Sequence, residues 1–391
     1  MNMVMRYIFL VLVVVISLHY LLSFTNESYG RATSVSRIAD YFRGGSAAEK
    51  HPIPDEYFKD VTNTTLQIDR KANATFVVLA RNSDLDNTVR SIRRMEDRFN
   101  RFHRYPYVLL NEEPFSDDFK HTTESQDYRR VSNVISSTVE FGLIPKEHWY
   151  QPDWIDESRA TAGRKKMEEE GVIYGGSLSY RNMCRFNSGF FFRHPLMEKY
   201  RWYWRIEPDV HFHCDVTFDP FLFMEDHDKI YGFTITMYEF EKTIPTLWGH
   251  VKEFIREHPE FVSPDNAMGF MSENNGDSYN LCHFWSNFEI ADMNFWRGEA
   301  YTKFFEYLDS KGGFYYERWG DAPVHSIAAA LFARKDQIHF FDDIGYEHNP
   351  YTHCPKSEES WIRGRCGCDR KRSFDYDGYS CLSKWDRLME G

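Results

Sequence analysis

The stretch ATFVVLARNSDLDNTVRSIRRMEDRFNRFHRYPYVLLNE, Ala74 to Glu112, decides how the rest of the chain is read. ATFVVLAR, Ala74 to Arg81, is a short apolar run flanked by polar residues, the pattern of a buried strand. NSDLDNTVRSIRRMEDRFN then sets Val89, Ile92 and Met95 on one helical face, with Asp86 or Asn87 as the cap. YPYVLLNE supplies a second strand. Strand, helix and strand in close succession form a βαβ unit with parallel strands and a right-handed crossover. The class is α/β, and the first half has the look of a nucleotide-binding domain.

Toward the C-terminus the same layering continues. RGEAYTKFFEYLDSKGG puts Tyr301, Phe304, Phe305 and Leu308 at helical spacing and stops at Gly312 and Gly313. DAPVHSIAAALFA reads as a helix capped on Asp321 with Pro323 in its first turn, and DQIHFFDDIG as a strand. Toward the N-terminus, Thr25 to Ala72 is polar and weakly periodic, as in a stem. Ahead of it YIFLVLVVVISLHYLLSF, Tyr7 to Phe24, is almost wholly apolar and is followed by no small-residue cleavage site. An uncleaved signal anchor is expected there rather than a cleaved signal peptide, with Arg6 cytoplasmic and the body lumenal.

Hydrophobic residues make up 42% of the chain and aromatic ones 17%, enough for a large core and against wholesale disorder. A net charge of -12 without a long Lys/Arg run argues against a nucleic-acid partner. Sequons at Asn26, Asn63 and Asn73 and seven cysteines suit an oxidising lumen. Cys354, Cys366, Cys368 and Cys381 crowd the C-terminus, where disulfides are favoured and a zinc site with His353 is the alternative. The odd total leaves one thiol over.

Ligands of an open parallel sheet bind beyond the carboxyl ends of its strands. YWRIEPDVHF places Glu207 and Asp209 at such an end, on one face if the backbone stays extended, and hard oxygen ligands there suit Mg²⁺ or Mn²⁺; a solvated turn is the plain alternative. Glu289 sits among the aromatic residues of CHFWSNFEIADMNFWR, a setting like that of sugar sites. FFDDIGYEHNPYTHC offers Asp342, Asp343 and His348 at another strand end, and Asp321 is either a cap or a group facing a ligand.

Taken in order, SYRNMCRFNSGFFFRHPL, YWRIEPDVHFHCD, YGFTITMYE, KTIPTLW, YNLCHFWSNFEI, GGFYYERWGDAPVHSIAAALF and QIHFFDDIGYEHNPYTHCP resemble the fungal α-1,2-mannosyltransferases of glycosyltransferase family 15, from about Asn73 to the C-terminus. The resemblance implies a GT-A fold, a single-pass type II protein of the Golgi membrane, with the endoplasmic reticulum as alternative, and Mn²⁺ as cofactor. It also implies transfer of mannose from GDP-mannose, with retention, to a mannose-terminated O- or N-linked glycan on a glycoprotein. Glu207 matches the metal-binding carboxylate and His348 the histidine ligand; the polar Glu347-His348-Asn349 context departs from the pattern and would retune metal affinity. Glu289 matches the carboxylate proposed as nucleophile, Tyr180 a tyrosine near the donor, and Asp321 a site aspartate. Arg81 or Arg90 would stabilise charge on the GDP leaving group.

The expected layout is thus a cytoplasmic tail, 1–6; an anchor, 7–24; a lumenal stem, 25–72; and a catalytic domain, 73–391. Within that domain, 73–210 would bind the nucleotide and 211–391 the acceptor. Rival readings are a membrane-anchored lectin or scaffold of the same fold, a glycoside hydrolase, and a transferase using another nucleotide sugar.

Overall fold

The computed structural model describes residues 70–120 and 131–390. The expected tail and anchor, nearly all of the stem, and the sequons at Asn26 and Asn63 lie outside the described residues. Among the described residues no helix is long and apolar enough to cross a membrane.

Among the described residues twelve strands follow in chain order: β1 (Ala74–Leu79), β2 (Tyr107–Asn111), β3 (Val139–Leu143), β4 (Trp202–Arg205), β5 (His211–Phe212), β6 (Tyr231–Phe233), β7 (Thr236–Tyr238), β8 (Cys282–Phe284), β9 (Ile290–Asp292), β10 (Ile338–Phe340), β11 (Tyr346–His348) and β12 (Tyr351–His353). Seven of them form one sheet in the order β10-β6-β9-β4-β1-β2-β3. β1 is parallel to β2 and to β4, as the βαβ reading requires. β9 is the exception, antiparallel to both β4 and β6. The sheet draws β1 to β4 from before residue 210 and β6, β9 and β10 from after it.

Both faces of the sheet are covered, and β1 shows how. Phe76 and Val78 point into one apolar cluster and Val77 into the other, so an uninterrupted apolar strand is what this position demands. Helix α1 (Leu85–Met95) packs Ile92 and Met95 into the first cluster, with Val89 partly buried beside them. Its cap is Asp84, where the chain leaves a short 3₁₀ turn, and not Asp86 or Asn87. The second cluster is filled from α2 (Glu157–Glu169), α3 (Leu178–Gly189), α4 (Leu247–Glu257), α5 (Glu299–Ser310) and α6 (Asp321–Phe332). Tyr301, Phe304, Phe305 and Leu308 of α5 are all buried, and the chain turns after it through Gly312 at φ 71°, a value that suits glycine. Asp321 is the first residue of α6 and not its cap; extended Gly320 holds that place.

Two small sheets complete the body, β12-β11-β5 and β7-β8. Disulfides Cys214–Cys366, Cys282–Cys381 and Cys354–Cys368 tie them to the C-terminal segment, and Cys184 is the free, buried thiol. The zinc alternative for the C-terminal cysteines is thereby set aside. His353 instead places Nδ1 2.9 and 3.0 Å from the two Asp375 carboxylate oxygens and Nε2 3.0 Å from the Asp342 carbonyl.

Candidate active site

β1 has β2 on one side and β4 on the other, so the strand order reverses at the β1/β4 crevice, the place where open α/β sheets hold ligands. A cavity of about 650 Å³ opens there. Arg81, just past β1, and Glu207, just past β4, both line it.

The E-P-D turn decides what faces the cavity. β4 stops at Arg205, and Asp209 takes φ 71°, so the backbone is no longer extended and the two acids do not share a face. Glu207 turns into the cavity, whereas Asp209 turns out to pair with Arg90 at 3.5 Å. The reversal feeds the chain into β5, which pairs antiparallel with β11 and brings His348 back to the crevice. His348 Nε2 and Glu207 Oε2 lie 3.7 Å apart, too far for a hydrogen bond and close enough for both to touch one cation. His348 Nδ1 is buried without a hydrogen-bond partner, and the Trp285 ring stands edge-on at 5.2 Å.

Arg205 organises the floor. Its guanidinium is buried and donates to Glu207 Oε1 on one side and, at 2.6 Å, to Asp321 Oδ2 on the other. Ser286 also donates to Asp321 Oδ2, at 2.8 Å. Burial works against charge on Asp321, but Arg205 and then His325 outweigh it and hold the carboxyl below its ordinary range. Asp321 therefore meets Arg205 as a carboxylate.

Glu289 stands one layer behind. It is 1% exposed, just before β9, and lines a small adjoining pocket with Arg205 instead of the main cavity. The Tyr203 hydroxyl donates to Oε2 at 2.9 Å, the Tyr231 hydroxyl to Oε1 at 2.9 Å, and His325 Nδ1 to Oε1 at 2.8 Å. Burial, followed by the charge of Glu289, pushes both phenols well above their ordinary range, which keeps them neutral donors.

Tyr180, from the first turns of α3, lines the cavity with its ring stacked on Tyr174 at 4.5 Å and the Arg318 guanidinium 5.1 Å from its centre. Arg81 donates to Glu112 at 2.9 Å and to Ser179. Of the residues singled out from sequence, Glu207, His348, Asp321, Tyr180 and Arg81 thus share one cavity. Arg90, exposed on α1, lies outside the cavity lining and bonds Asn87 and Asp209. Arg205 was missed. Its signal was present in YWRIEPD: a lone arginine at the end of an aromatic strand needs buried acids to pair with.

A family model described as glycolipid 2-alpha-mannosyltransferase matches residues 42–390. A curated relative, glycolipid 2-alpha-mannosyltransferase 2 of Candida albicans, is 54% identical over 319 residues, 82% of this chain and 68% of its own. Among solved structures, the mannosyltransferase Ktr4p of S. cerevisiae in complex with GDP superposes with a TM-score of 0.74 at 41% identity, covering 81% of this chain and 82% of that one. Core-mannan synthase A of Aspergillus fumigatus, in an Mn/GDP form, does so with a TM-score of 0.74 at 37% identity, covering 83% and 87%.

Proposed function

The chain belongs to the glycolipid 2-alpha-mannosyltransferase family, and from that premise we propose that it is a retaining α-1,2-mannosyltransferase with a GT-A fold, moving mannose from GDP-mannose to a mannose-terminated glycan of a glycoprotein. The observation that carries this reading is the Glu207–His348 pair at the β1/β4 crevice, one carboxylate oxygen and one ring nitrogen converging without bonding to each other. The donor set fits Mn²⁺: a hard oxygen and an imidazole nitrogen leave the remaining positions to diphosphate oxygens and water. When bound, the cation would neutralise charge on the departing GDP.

The chain's own groups do the rest. Arg205 ties up Glu207 Oε1, which leaves Oε2 directed toward His348, and fixes Asp321 on the same floor. Arg81 stands at the carboxyl end of β1, where a diphosphate would lie. Transfer breaks the bond between the anomeric carbon and the phosphate oxygen and forms one to an acceptor hydroxyl, whose proton passes to the departing phosphate. This front-face course is favoured over double displacement because both oxygens of Glu289 are engaged by three donors and neither lines the main cavity. Glu289 then positions Arg205 and the strand ends instead of attacking. Glu289→Gln is expected to lower kcat about a hundredfold, the scale of a small misplacement, with GDP affinity within a few-fold. Equal losses of GDP binding and transfer would make it a purely structural residue.

The test of the function is an assay of the full chain in detergent with GDP-mannose, Mn²⁺ and α-mannosides, followed by linkage analysis. An α-1,2 product formed only with metal is expected. No transfer to any mannoside, with GDP still bound, would favour the lectin-like reading. We further propose that Tyr7–Phe24 anchors the protein in the Golgi membrane with its body lumenal; the apolar run supports the anchor, protease protection of a C-terminal tag in vesicles tests the orientation, and co-fractionation with Golgi rather than endoplasmic-reticulum markers tests the compartment.

A further inference from the structure

The donor side of the cavity is the β1/β4 crevice; from its metal corner a line of aromatic rings runs away along the lining, and beyond the first ring none has a task yet assigned. It starts at His348 and passes through Trp285, Tyr351 and Tyr379 to Phe240, each ring centre 5.2 to 6.3 Å from the next. All five line the cavity. The first four rings are partly covered, and Phe240, at the end of the line, is 50% exposed. A row of this length exceeds one pyranose ring, so the wall is longer than a single acceptor sugar needs.

Polar groups accompany the rings. Glu239 lines the wall next to Phe240, with Oε1 taking the Phe240 backbone N–H at 2.8 Å. His283 of β8 lines it too, is 4% exposed, and its Nδ1 has no hydrogen-bond partner. Burial keeps that imidazole below its ordinary range, hence neutral and able to meet a hydroxyl. The outer wall is also rigid. Tyr238 N–H bonds the Tyr379 carbonyl at 3.3 Å, Met237 bridges to Ser380, and Cys282–Cys381 links β8 to the residue after that bridge. A platform held this way spends little entropy when a ligand settles on it.

We propose that Tyr379 and Phe240 form an outer subsite that stacks on the second or third mannose of an oligomannoside acceptor, so that the enzyme selects for acceptor length. Aromatic rings take the C–H faces of sugars while carboxylates and imidazoles take hydroxyls, and both kinds of group are present here. The inference rests on the transferase reading for its choice of sugar.

The test compares the full-length protein with Phe240→Ala and Phe240→Trp, using methyl α-mannoside, α-mannobiose and α-mannotriose as acceptors. Phe240→Ala is expected to lower kcat/KM for the triose about tenfold, the worth of one aromatic contact, with methyl mannoside transfer within twofold and GDP affinity unchanged; Phe240→Trp restores the triose value. An equal loss on all three acceptors, or a weakened GDP complex, overturns the outer subsite, the latter by assigning the wall to the base of the nucleotide. Mannotriose binding followed by saturation-transfer NMR separates this from the function itself. Binding that Phe240→Ala abolishes, without any transfer, upholds the subsite and sinks the transferase; no binding to the unmodified protein, with transfer intact, sinks the subsite alone.

Discussion

On one side of the cavity β1, β2 and β4 lie in a parallel sheet in strands of four to six residues, joined by backbone hydrogen bonds and buried on both faces. On the other side β5, β7, β8, β11 and β12 are only two or three residues long, and three disulfides and the buried His353–Asp375 pair hold them. The first side is stable by regular burial, the second by particular bonds. A site that spans both inherits rigid placement from the first and depends on single residues in the second.

The sharpest way to break this partnership is to remove either member of the pair that crosses it. Glu207→Ala or His348→Ala is expected to lower transfer at least about a thousandfold and to abolish Mn²⁺-dependent GDP binding with the melting temperature preserved. Metal dependence unchanged in calorimetry would dismiss the metal corner. Arg205→Met removes the partner of buried Asp321 and should destabilise the fold by about 3–5 kcal/mol in urea titrations, a cost the double variant with Asp321→Leu should largely recover. Replacing Cys282 and Cys381 together by serine is expected to cost about 2–4 kcal/mol and to fall on the β7-β8 side, so hydrogen exchange should quicken there and not in β1 or β2.

The most gradual effect concerns pH. His353 has a carboxylate on one ring nitrogen and a carbonyl on the other, both acceptors, so both nitrogens carry protons. Burial alone would lower its pKa, but Asp375, then Asp342, raise it to about 9 from 6.5. A raised histidine stabilises fully below pH 6.5 and loses its contribution as pH climbs through about 9. Stability against thermal unfolding should therefore fall by on the order of 1 kcal/mol per pH unit across that window, and the slope should vanish in His353→Gln. Asp342, raised to about 6 chiefly by burial, adds a slope of the same sign at lower pH.

Legibility from sequence divides along the same line. β1, α1, β2 and α5 were readable because each repeats one period long enough to stand above noise, and Ile92, Met95 and the four large residues of α5 went where that period sent them. β9 could not be seen to run antiparallel, since strand direction is settled by where the chain has come from and leaves no mark in FEIAD. The cap positions failed by one to three residues for a related reason: Asp84 begins α1 after a 3₁₀ turn, and Asp321 faces Arg205 instead of its own helix. At the site, residue types were legible and directions were not. Glu207 and Asp209 are alike in sequence, and only the φ of Asp209 separates a group in the cavity from one outside it. Glu289 was recognised as special, but its cage of Tyr203, Tyr231 and His325 comes from three other elements.

The β5–β11 pairing also bears on how the protein comes into being. It joins His211, four residues beyond Glu207, to Glu347, the neighbour of His348, while Cys214 waits for Cys366 and Cys282 for Cys381. A nascent chain released before these partners emerge would carry the nucleotide crevice without its metal corner. The site is therefore complete only once β11 and the C-terminal cysteines have joined the sheet.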